Sequence, residues 1–151
     1  MAKDKTDYAP LLPPGLHRIE LADLESHFVT PFDQSARRVE MVARLRAYVS
    51  ALAEIGIPLE LWLNGSFATH KLDPDDIDVA IFASAPIVDA LDTERKRRLS
   101  QLLDRPTVRL RYSCDVYFLP REDEELRSYW RGWFGFTRAE DPKGIPYIIA
   151  A

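Results

Sequence analysis

Two apolar runs, "LELWLN" from Leu59 and "IDVAIF" from Ile77, are joined by a Gly-Ser pair, a nine-residue spacer from Phe67 to Asp75, and Asp76. In the first run Leu59, Leu61 and Leu63 alternate with Glu60, Trp62 and Asn64. Period two is the mark of a strand with one face toward a core. The second run reads as an adjacent strand. A chain with this centre must build a sheet and lay apolar helices against it.

The helices are visible on both sides. "LADLESHF" reads as a short helix, and "SARRVEMVARLRAYVSALAEIG" as a long one. Val39, Val42, Leu45, Val49, Leu52 and Ile55 recur at three- and four-residue steps and so share one face. Asp33 or Ser35 can cap its start, and Gly56 can supply the left-handed residue that ends it. "PIVDALDTERKRRLSQLLDRP" follows as a helix whose basic cluster, Arg95 to Arg98, reads as a solvated face. "TVRLRYSCDVYFLP" reads as a strand with Tyr112, Cys114, Val116 and Phe118 on one side and Ser113, Asp115 and Tyr117 on the other. "REDEELRSYWRGWFGF" reads as a helix and an aromatic turn, and "DPKGIPYIIA" as a turn and a last strand. The expected class is α+β: three or four strands in a small mixed sheet backed by helices. There is no internal repeat.

At 151 residues the chain has the length of one domain. The Pro-rich segment 1–15 reads as a loosely docked tail and 16–151 as the single domain. No apolar run has the length of a membrane span, and the charged start lacks the apolar centre of a secretory signal, so a cytoplasmic location is expected. One cysteine, Cys114, excludes an intrachain disulfide and a cysteine-rich zinc site. A net charge of −4 gives no general attraction to phosphate backbones, so nucleic acid is not the favoured partner.

Within this frame the acidic run divides. In "DIDV" the strand period puts Asp76 and Asp78 on one face and Ile77 and Val79 on the other. Carboxylates at such spacing stand about 6 to 7 Å apart at the base, close enough to converge on a cation. Asp115 adds a third carboxylate on another strand; if that strand lies beside "IDVAIF", all three share one face. Asp73, Pro74 and Asp75 read as turn residues. Gly65 and Ser66 follow a strand directly, where a turn with no Cβ allows backbone N–H groups to approach phosphate oxygens.

Strand, Gly-Ser, spacer, Asp-x-Asp and a later strand carboxylate together resemble the nucleotidyltransferase superfamily related to DNA polymerase beta. The chain most resembles its small stand-alone bacterial members, the minimal nucleotidyltransferases. The resemblance covers roughly residues 59–119 with the long helix before them, and it implies a nucleotidyltransferase-like fold. It implies that Gly65 and Ser66 hold a nucleoside triphosphate, that Asp76 and Asp78 bind two Mg²⁺ ions, and that Asp115 completes the second metal site and helps deprotonate an acceptor hydroxyl. The activity implied is transfer of a nucleoside monophosphate, AMP from ATP, to a hydroxyl on a protein, an RNA or a small molecule, within a toxin–antitoxin or defence system. Asn64 departs from the pattern, which usually has an apolar residue there.

Other candidates are weighed on the same terms. His17, His27 and His70 lack metal-ligand spacing. Lys143 and Arg138 are candidate triphosphate contacts, and His70 and Lys71 read as a solvated loop. Trp130, Trp133, Phe134 and Phe136 read as core or as a partner-facing patch. A toxin partner or a second copy of the chain could finish the pocket. The reading of a different class is a non-catalytic protein of the same fold, an antitoxin or assembly subunit, which gains nothing from three clustered carboxylates.

Overall fold

The alternation around Trp62 is realised at the centre of a five-stranded sheet, in a computed structural model that describes residues 8–151. The strands are β1 (Gly15–Arg18), β2 (Leu59–Asn64), β3 (Ile77–Ala83), β4 (Cys114–Pro120) and β5 (Gly144–Ala150), in the order β1-β5-β2-β3-β4. β2 runs antiparallel to both β3 and β5, whereas β3 with β4 and β1 with β5 are parallel. The helices are α1 (Leu24–Phe28), α2 (Ala36–Ala53), α3 (Ala85–Asp89), α4 (Thr93–Leu102), α5 (Arg105–Tyr112) and α6 (Glu124–Phe134). The fold is α+β, a mixed sheet backed by helices. Among the described residues no helix is long and apolar enough to cross a membrane.

The strand period divides the core into two layers. Leu59, Leu61, Leu63, Ile77, Val79, Ile81, Cys114 and Val116 face the larger one, where α1, α2, α4 and α5 contribute buried residues. Trp62, Ala80, Phe82 and Ile145 face the other, which Phe134 and Trp130 of α6 cover. Full burial of a side chain of this kind contributes about 1.5–3 kcal/mol, so one short helix suffices for this second layer. Beyond α6, the same sheet face carries Asn64, Asp78 and Asp115.

Several local expectations are revised. Ser35 caps α2, its side chain accepting from Arg38 N, whereas Asp33 adopts a left-handed conformation two residues earlier; Gly56 takes the expected positive φ of 81°. Val39 is 47% exposed, and the fully buried residue in its place is Arg38, which is in phase with Met41, Val42 and Leu45. The segment from Pro86 to Leu102 is two helices, because Asp92 caps a new start at Thr93 by accepting from Arg95 N. Thr107 to Tyr112 is helical rather than strand: Asp104 caps α5, Pro106 lies in its first turn, and Ser113 at φ 56° turns the chain into β4. β1 is a fifth strand that the sequence reading lacks. Of the proposed tail, residues 1–7 lie outside the described residues. From Ala9 the segment is tied down: Leu11 N donates to Ala68 O, His70 N to Ala9 O, and Gly144 N to Leu12 O.

Candidate functional site

Register brings the chemistry together. Asn64 on β2 lies opposite Asp78 on β3, and Asp78 lies beside Asp115 on β4, so the three side chains form a row across one sheet face. Asp76 precedes Asp78 by one strand period at the mouth of β3. β4 does lie beside "IDVAIF", and the three carboxylates chosen from the sequence share one end of the sheet.

Gly65 makes this crowding feasible. Its φ of 81° is a conformation L side chains rarely adopt, and a Cβ there would stand 3.0 Å from Asp78 Oδ2. The chain continues as a single 3-10 turn, Ser66–Ala68, rather than a regular helix. Thr69 closes that turn, its hydroxyl donating to Ser66 O at 2.6 Å. Lys143, buried at 6% exposure, reaches in from the start of β5 and donates from Nζ to Gly65 O at 3.3 Å. Of the two basic candidates, Lys143 is thus at the turn, whereas Arg138 lies in the exposed segment before it.

The spacer is held from beneath. Arg38 Nε donates to Lys71 O, Nη1 to Phe28 O and Phe67 O, and Nη2 to Thr69 O and Lys71 O, at 2.6 to 3.1 Å. Its guanidinium also lies 3.5 Å from the centre of the Phe32 ring. Burial lowers its pKa to about 10, which leaves it charged at neutral pH. Arg37 donates to Pro74 O and Asp75 O, and Ser35 to Asp73 Oδ1. Asp73 and Pro74 therefore serve the path into β3.

Charge at the site is balanced unevenly. Arg105 and Arg109, one helical turn apart on α5, both grip Asp115: Arg105 Nη2 is 2.8 Å from Oδ1 and Arg109 Nη2 is 2.9 Å from Oδ2. Arg109 Nε also lies 3.9 Å from Asp76 Oδ2. The Tyr117 hydroxyl donates to Asp115 Oδ2 at 3.3 Å, and its ring lies between Arg105 and Trp130. The Asp115 side chain is 11% exposed, whereas both arginines are more than half exposed. Asp78 is less fully compensated. Burial first, then Asp115 and Asp76, push its carboxyl above the usual range, which Lys143 and Arg109 offset in part. Next to it, Asn64 is 8% exposed and its Oδ1 is buried with no donor.

These features bear on a cation. Among the described residues no three His, Cys, Asp or Glu side chains form a metal-binding group. Two carboxylates, Asp76 and Asp78, with a buried amide oxygen across from Asp78 nevertheless offer hard oxygen donors of the kind Mg²⁺ takes, and like charge at Asp78 favours positive charge there. Cys114 takes no part: it is buried, and its thiol is pushed up to about 12 by burial and by Asp76 and Asp78. His17 bonds Pro13 O, and His70 is exposed in the spacer.

The sequence reading missed Arg38, Arg105 and Arg109. Arg38 betrays itself as a charge in phase with an apolar stripe. The other two were masked because the expected boundary between helix and strand fell after Pro106, between them, which hid their i, i+4 spacing on α5.

No curated protein and no solved structure matches the chain. One family model does, described as "Family of unknown function (DUF6932)", over residues 5–149. With nearly its whole length covered by that match, the chain belongs to the DUF6932 family.

Proposed function

We propose that the protein is a Mg²⁺-dependent nucleotidyltransferase of the DNA polymerase beta-like superfamily, transferring AMP from ATP to a hydroxyl of a protein, an RNA or a small molecule. The observation that carries the reading is the row Asn64–Asp78–Asp115 with Asp76 at its mouth, set against the positive-φ Gly65 and its Ser66 turn. Asp76 and Asp78 are the residues to hold a divalent cation. Asp115 would help hold a second one, with Arg105 and Arg109, each more than half exposed, then available to polyphosphate oxygens. Bound cations supply charge neutralisation at the α-phosphorus and its leaving pyrophosphate. The chain's own groups position: the Gly65–Ser66 turn and Lys143 are placed for phosphate oxygens, and Asp115 for the acceptor proton. A toxin–antitoxin or defence setting in the cytoplasm, with a toxin protein as acceptor, follows from the resemblance alone.

The test is incubation with Mg²⁺, α-labelled nucleoside triphosphates and cell lysate. Label transfer with pyrophosphate release, abolished by Asp78→Ala, is expected; full transfer by that variant sinks the assignment. Release of inorganic phosphate in place of pyrophosphate means hydrolysis by the same carboxylates. The second reading, a binding protein without catalysis, draws on the aromatic residues that α6 and the following turn leave outside: Tyr129, Trp133 and Phe136 are 62%, 63% and 48% exposed. Stable partner capture with no transfer favours it.

A further inference from the structure

We infer that Asn64 supplies the third protein oxygen of a divalent-cation site whose carboxylates are Asp78 and Asp76, an assignment that rests on the proposed reading only in taking a cation to bind here. Asn64 ends β2 on the sheet face of Asp78, directly across the antiparallel pair. At 8% exposure it is withheld from water, yet its Oδ1 receives no hydrogen bond. A buried amide oxygen without a donor is a cost that folded proteins rarely carry without a reason. Its strand neighbours make the cost sharper. Asp78 across from it and Asp115 one strand further carry carboxylates, which as ionised groups have no proton to donate to that oxygen.

Positive charge is distributed along that row in a telling way. Asp115 has both of its oxygens taken by guanidinium groups of Arg105 and Arg109. Lys143 directs a hydrogen bond at Gly65 O. Neither arrangement supplies a donor to Asn64 Oδ1. A small cation between Asn64 and Asp78 satisfies the amide oxygen and relieves the carboxylate together. Amide carbonyls are ordinary ligands of hard cations. A neutral third ligand also has a folding advantage over a fourth carboxylate, because the metal-free chain already holds three in this corner of the sheet.

A ligand and a structural amide respond to substitution in opposite ways. In Asn64→Leu, a replacement of similar volume, the orphan oxygen is gone. Its metal-free form is therefore expected to melt at the wild-type temperature or above, while Mn²⁺ affinity, read by the loss of the free-ion electron paramagnetic resonance signal, falls about tenfold or more. Asn64→Asp is expected to do the reverse, melting lower without metal and binding Mn²⁺ more tightly. Mn²⁺ binding by Asn64→Leu equal to wild type, or by Asn64→Asp no tighter than wild type, overturns the assignment. Wild-type protein with no saturable Mn²⁺ binding, or binding that Asp78→Asn leaves unchanged, overturns the cation site as a whole and with it the proposed activity, a failure distinct from that of Asn64 alone.

Discussion

The Asp78 carboxylate stands where a side chain at residue 65 would have to go: a Cβ on Gly65 would lie 3.0 Å from Asp78 Oδ2. The turn and the carboxylate are therefore one unit. Gly65→Ala combines that contact with the strain of a positive φ and is expected to cost about 1–3 kcal/mol, read by urea unfolding. It should also weaken Mn²⁺ binding, since Asp78 must move. An alanine variant with wild-type stability and binding would show that the turn relaxes freely.

Arg38 is expected to be the most sensitive charged residue away from the carboxylates. Replacing it with Met strips a donor from the carbonyl oxygens of Phe28, Phe67, Thr69 and Lys71. The loss should be about 3 kcal/mol or more. Lys, with one ammonium in place of a planar fork, should rescue little of it. Amide hydrogen exchange in residues 67–71 should accelerate in both variants before the rest of the sheet responds.

A pH dependence follows from Asp78. Its carboxyl is held above the usual range by burial and by Asp115 and Asp76, so the folded chain binds that proton more tightly than the unfolded chain does. The sign is then fixed: stability from this group falls as pH rises from the ordinary carboxylate range through the raised folded value. Without metal, Asp78→Asn should melt higher than wild type at neutral pH, and the difference should vanish below about pH 4. Saturating Mg²⁺ should reverse the order. Identical melting of the two proteins across that range would contradict the burial of a charged Asp78.

The guanidinium pair on α5 yields a prediction of mixed sign. In Arg105→Ala/Arg109→Ala, Asp115 loses its counter-charges. Mn²⁺ binding in the absence of nucleotide should tighten, while affinity for nucleoside triphosphate should fall about tenfold, in line with loss of charge-assisted hydrogen bonds. If both affinities fall together, the arginines act only to hold β4 and α5 in place.

Gly144 marks a purely structural constraint. A Cβ there would be 2.2 Å from Pro13 O and 2.7 Å from Leu12 Cβ. Gly144→Ala should cost about 1–3 kcal/mol and detach the segment around Leu12, visible as faster proteolysis near residue 12.

What could be read from the sequence was whatever depends on local period. β2 and β3 declare themselves by alternation, α2 by its stripe and by Ser35, and Asp76 and Asp78 by their place two residues apart on a strand. Asp115 was within reach because Cys114 and Val116 flank it. Less legible were features decided by distant partners. Arg38 stands in the sequence as one of two adjacent arginines, and its burial is decided by carbonyls some thirty residues away. α5 contains Val108, Leu110 and Tyr112 at strand-like alternation, and its cap at Asp104, rather than that pattern, decides its state. Lys143 could be named from charge alone, but its placement at Gly65 depends on β5 entering beside β2.

That entry point has a consequence for how the molecule comes into being. Among the described residues β5 is the latest strand in sequence, yet it lies between β1 and β2, and it is the strand with which β1 pairs. During synthesis the first strand must wait, unpaired, while more than a hundred further residues emerge. Only residues 144–150 can seat it, and Lys143 arrives with them. The acidic corner thus lacks its ammonium until residues 143–150 have emerged and paired, so on a nascent chain the site assembles only after that segment has been made.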